Sequence, residues 1–139
     1  MSIKEFLQTF REFLGKNGRS PDWTPWSVVE EWESFVAEVE AGYDWIEAEY
    51  TNELRVRDLL ESAFDDERLA QFEPQISAMR ERVAIADARL KRVFLPAVQI
   101  GTESDPWWRR GVLSHAGEEY TKDVKGLYGI ELPRHESHS

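Results

Sequence analysis

Apolar residues recur along most of this chain at intervals of three and four, the spacing that lines one face of an α-helix. Ile3, Phe6, Leu7, Phe10, Phe13 and Leu14 form the first stripe. Ser2 with Glu5 reads as a capping box and Gly15 as the stop, which predicts a helix over about 3–14. The segment from Lys16 to Asp22 reads as a loop. Thr24 as cap, Pro25 in the first turn and Trp23 packed on Val28 then predict a second helix with an inward stripe of Val28, Val29, Trp32, Phe35, Val36 and Val39, ending near Ala41.

Asp44 with Glu47 suggests a third start, with a helix to about Ala63 and Trp45, Ile46, Tyr50, Val56, Leu59, Leu60 and Phe64 turned inward. Leu69, Phe72, Ile76, Met79, Val83, Ala86, Leu90, Val93 and Ala97 follow a heptad seam. Glu73-Pro74 is expected to kink or restart that helix, and Pro96 to end it. Asp105-Pro106 is expected to open a last helix from Trp107 to about Lys125, weakened by Gly111 and Gly117. These elements predict an all-α antiparallel bundle of about five helices. Residues 1–133 read as a single helical-bundle domain, and 134–139 as a flexible C-terminal tail.

Composition changes this picture mainly through charge. The 139 residues carry a formal net charge of −10. Residues 22–67 hold fifteen acidic groups against only Arg55 and Arg57, so this third of the chain exceeds the whole negative charge. That balance argues against direct nucleic-acid binding, which needs clustered Lys and Arg, and against anionic membranes. No apolar run approaches the ~20 residues of a membrane span. The first residues lack the pattern of a signal peptide, and there is no cysteine; both fit a cytoplasmic location.

Candidate chemistry is sparse. No Glu-x-x-His pair, nucleophile elbow or phosphate-cradling glycine loop occurs, and adjacent Ser114 and His115 point apart on a helix. No catalytic residue, metal ligand or cofactor is therefore predicted. His115 with Glu118 and Glu119 reads as a surface ion pair rather than a metal site. The acidic zone has two readings. In one it is a solvated face neutralised within the fold by Arg80, Arg82, Arg89, Lys91 and Arg92. In the other, Glu30, Glu33, Glu40, Glu47, Glu53, Asp65 and Asp66 dock a basic protein, as an immunity protein or antitoxin-type inhibitor would.

The tryptophans add a second candidate surface. Trp32 and Trp45 sit on helix stripes and are expected in the core. Trp23 and Trp26 flank one helix start, Trp107 and Trp108 another. With Arg109 they read either as an aromatic binding patch or as plugs for the bundle's end, one of Trp107 and Trp108 being half exposed. The leading functional expectation is a non-enzymatic, acidic protein-binding module. The alternatives are a structural or adaptor subunit, homodimeric through the 69–97 seam or assembled through the Trp patch, and a carboxylate or metal enzyme.

Overall fold

A computed structural model describes residues 2–20, 22–96, 98–114 and 116–132. The fold is all-α, with no strand beyond two isolated bridges among the described residues. Ser2 opens α1 (Ile3–Lys16) as expected. The Glu5 N–H donates to Ser2 Oγ at 3.1 Å, and the Ser2 hydroxyl donates to the Glu5 carboxylate. The stop falls at Gly18 rather than Gly15. Gly18 takes φ +70°, and the N–H groups of Arg19 and Gly18 donate back to the carbonyls of Leu14 and Gly15. A residue without Cβ adopts this left-handed turn without steric cost. Thr24 caps α2 (Pro25–Glu40) through a reciprocal pair: Ser27 N–H to Thr24 Oγ1 at 3.1 Å and Thr24 N–H to Ser27 Oγ at 2.8 Å.

The expected third helix starts later and breaks. Gly42, at φ +100°, ends the α2 exit, and Tyr43 then forms a parallel bridge with Ala116 while accepting the Gly117 N–H. This pairing holds residues 43–46 out of helix, so Asp44 is not a cap. Regular structure resumes as α3 (Glu47–Glu53), turns at Leu54, and continues as α4 (Arg55–Asp65). Ile46 offers α3 no side-chain cap. The Glu47 N–H is taken instead by Asp123, far along the chain, at 3.2 Å.

The heptad segment divides at the expected place. Asp66 caps the short α5 (Glu67–Ala70), accepting from Arg68 N–H at 2.9 Å and Leu69 N–H at 3.1 Å; α6 (Gln75–Arg92) begins after Pro74. It ends before Pro96, because backbone pairing with a later segment competes with the helix. Leu95 N–H donates to the Val112 carbonyl, Ser114 N–H to Val93, and Ile100 N–H to Arg110. The same pairing removes most of the expected last helix. Trp107–Arg109 is a single 3-10 turn, residues 110–114 and 116–117 are not helical, and α7 (Glu118–Tyr128) follows and closes on Gly129 at φ +67°. Asp105 caps nothing downstream. Its carboxylate accepts the Thr102 N–H at 2.8 Å, closing the turn after Gly101.

The packing resolves into two compact units. The first comprises residues 1–34 and 56–86. Its core joins Phe6, Phe10 and Phe13 of α1 to Val28, Val29 and Trp32 of α2, and Leu60 of α4 to the seam residues Leu69, Phe72, Ile76, Met79 and Val83, all buried. Phe6 meets Phe72 with ring centroids 5.4 Å apart. The second unit comprises residues 35–55 and 87–139. Its core is an aromatic cluster in which Tyr43, Tyr50 and Tyr120 pack edge to face and Phe35 lies tilted on Tyr50, with Leu90, Trp108, Val112 and Leu113 also buried. Of the 69–97 seam, Leu69 through Leu90 is buried within the chain itself, Val93 is half-buried, and Ala97 lies outside the described residues. A dimer through this seam would have to expose those buried side chains. The tail expected at 134–139 also lies outside the described residues.

Candidate docking surface

The acidic side chains separate into those the fold uses and those it leaves to solvent. In the first unit Arg82 grips Glu33 through both Nε and Nη2. Its guanidinium also lies 5.7 Å from the ring of half-buried Trp26. In the second unit Arg89 grips Glu40 in the same two-pronged manner, and that hydrogen bond holds the Glu40 carboxyl below the usual range. Glu53 accepts the buried Tyr43 hydroxyl at 3.1 Å, and Asp66 is the α5 cap. Glu33, Glu40, Glu53 and Asp66, all candidates for partner contact, therefore have partners inside their own units. Glu30 and Asp65 are exposed. Arg80 reaches across from α6 to donate to the Phe64 carbonyl of α4 at 2.8 Å, and Lys91 sits over Trp107 at 4.4 Å.

Glu47 belongs to a different arrangement, in the second unit. Tyr43 is fixed to Ala116, and the three residues after it face outward: Asp44 is exposed, Trp45 is 58% exposed and Ile46 42%. Trp45 and Ile46 were expected in the core. The expectation fails because residues 43–46 are not helical, so helical spacing does not govern which way they face. Packing of α3 on α7 brings the end of α7 to this surface, where Tyr128 donates to Glu47 Oε1 at 3.4 Å. Leu127 is 62% exposed and Tyr128 42%. Asp44, Glu47 and Asp123 border these residues, with Lys125 taken up by Glu131 at 2.9 Å. Trp45, Ile46, Leu127 and Tyr128 are thus exposed apolar side chains, Tyr128 being tied to Glu47 just after the Trp45–Ile46 pair and Leu127 being its neighbour on α7. A tryptophan that no helix cap explains, between Gly42 and the Glu47 start, was the available signal for this exposure.

The other aromatic candidates are more deeply set. Trp23 is half-buried, Trp108 is buried, Arg109 is partly buried, and Trp107 is half-buried with Trp108 edge-on at 5.6 Å. Trp23 and Trp26 belong to the first unit and the Trp107–Trp108 pair to the second. The buried phenols have raised pKa values. Burial dominates for all three, joined at Tyr43 by Glu53 and at Tyr50 by Tyr120 and Tyr43; at Tyr120 the Leu113 N–H, which its oxygen accepts, opposes the rise. Among the described residues no group of three or more His, Asp or Glu is placed to hold a metal, and no helix is long and apolar enough to cross a membrane. His115 lies outside the described residues. No protein-family model matches the chain, and neither curated proteins nor solved structures include one significantly similar to it.

Proposed function

We propose that the protein is a non-enzymatic binding module that docks a basic protein on the surface of Trp45, Ile46, Leu127 and Tyr128. The observation that carries this reading is the exposure of Trp45 beside a carboxylate rim. A large exposed aromatic side chain ringed by charge is the usual anatomy of an interface hot spot. The acidic border favours a partner presenting Lys or Arg around an apolar pocket, and the excess charge of residues 22–67 would speed its approach. The docking centre in this reading is narrower than the acidic zone, because Glu33 and Glu40 are neutralised by arginines within the fold.

The test compares wild-type bait with Trp45→Ala and Leu127→Ala baits in capture from the native host, at low and at high salt. Both substitutions lie at exposed positions, where stability changes are usually within about 0.5 kcal/mol. The expected result is a stoichiometric basic protein that the wild type holds at low salt, high salt releases, and either variant loses by about tenfold or more. Partners retained equally by wild type and variants, or no basic partner at all, would overturn the reading.

A further inference from the structure

On α1 the side chains of Phe6, Phe10, Phe13 and Leu14 enter the core, while Ile3 and Leu7 of the same stripe stay exposed. Lys4, Leu7 and Arg11 follow at i, i+3 and i+7, so a cation stands one turn to either side of Leu7. These residues line an open groove of about 730 Å³ along α1, whose lining also includes Phe72, buried against Phe6. Among the described residues neither Lys4 nor Arg11 is paired with a carboxylate, and the only acid of the lining, Glu5, accepts the Ser2 hydroxyl. In a protein of net charge −10 the groove therefore joins exposed apolar surface to a local excess of positive charge.

Such a groove suits an acidic segment with apolar side chains at its centre, and the chain carries one. Asp44-Trp45-Ile46-Glu47 places two exposed apolar side chains between two acids, outside any helix except for the Glu47 start. Among the described residues no cation pairs with either acid. Glu47 accepts the hydroxyls of Thr51 and Tyr128, which leave its charge uncancelled. We infer that the α1 groove of one copy takes the Asp44–Glu47 segment of a second copy of this chain, with Trp45 and Ile46 against Ile3 and Leu7, and Lys4 and Arg11 facing the two carboxylates. Each copy carries both halves, so two copies that exchange both contacts close a pair. Like the function proposed above, this contact rests on Trp45 acting as a docking side chain. A second copy covers Trp45, so a foreign basic partner has to compete with self-association.

Sedimentation velocity over a micromolar-to-millimolar series tests the contact, at about 0.15 M salt, where screening beyond ~8 Å mutes the repulsion between two acidic molecules. The wild type is expected to pass from monomer to a larger species as concentration rises. Trp45→Ala, and separately the exposed pair Lys4→Glu with Arg11→Glu, are expected to need about tenfold more protein or more for the same association. Asp44→Lys with Glu47→Lys is expected to do likewise. Mixing the two charge-reversed variants restores opposite charge at both contacts, and the mixture is expected to associate as the wild type does. Both variants keep a net negative charge, so general attraction does not account for that recovery. A wild type that stays monomeric, Trp45→Ala that associates unchanged, or a mixture no more associated than its parts would overturn the contact. Should Asp44→Lys with Glu47→Lys fail to fold by circular dichroism, Trp45→Ala and the Lys4 and Arg11 reversals decide it. A basic protein captured by a wild type that never self-associates would overturn this contact and leave the proposed function standing; self-association as described, with no basic protein captured, would do the reverse.

Discussion

At Tyr50 a phenol hydroxyl is buried beside Tyr43 and Tyr120, and no described group accepts from it. Tyr43 gives its hydroxyl to Glu53, and Tyr120 accepts from Leu113, so the three similar rings differ in whether their polar ends are satisfied. Removing an unsatisfied buried group relieves its desolvation cost without breaking a bond. Tyr50→Phe is therefore expected to stabilise the protein by about 1 kcal/mol, read as a higher urea midpoint; a lower midpoint would mean that the hydroxyl is used. The raised pKa values of all three phenols give a pH dependence as well. Folded, they stay protonated above the value near 10 at which they ionise in the unfolded chain. Their stabilising effect is thus complete below about pH 10 and is lost as pH rises beyond it. In urea titrations across that range the wild type should weaken with pH, and Tyr50→Phe should weaken less steeply.

Element boundaries show which forces were local. Ser2 and Thr24 cap their helices because a cap needs only residues within one turn, and sequence displays those directly. Pro74 divides the heptad segment for the same reason. Wherever a distant segment competes for the backbone, local pattern misleads. Ala116 and Gly117 take the backbone of Tyr43 and turn Trp45 outward, and Val112 and Ser114 pair with Leu95 and Val93, ending α6 early and unmaking the start of the last helix. The candidate docking surface was hidden for this reason, since both Trp45 and Tyr128 reach it through long-range pairing. Asp66 illustrates a residue whose local role outweighs its charge. It is the sole side-chain cap of a four-residue helix, so Asp66→Ala is expected to cost about 1 kcal/mol and Asp66→Asn almost nothing. Equal losses for the two, in urea unfolding followed by circular dichroism, would assign its effect to charge instead.

At the scale of the molecule, 27 acidic residues face 17 basic ones. Two effects of salt oppose each other. Screening weakens the ion pairs of Arg82 with Glu33, Arg89 with Glu40 and Arg68 with Glu12, and it also relieves repulsion among the excess carboxylates. Exposed pairs are worth only ~0–1 kcal/mol each, and these three pairs are partly or fully open to water. The self-repulsion of the uncompensated charge acts over the whole surface, and most of it lies in one third of the chain. Relief of repulsion should therefore win. The thermal midpoint is expected to rise by a few degrees as sodium chloride increases from low to moderate concentration, where about 1 kcal/mol corresponds to roughly 2–8 °C. A docked basic partner would respond with the opposite sign, because the carboxylates that repel one another in the free protein attract the partner. Calorimetry of the free protein and titration of the complex over the same salt series separate the two. A midpoint that falls with salt would mean that the internal pairs outweigh the repulsion, and would make those pairs, rather than solubility or partner capture, the main use of the acidic zone.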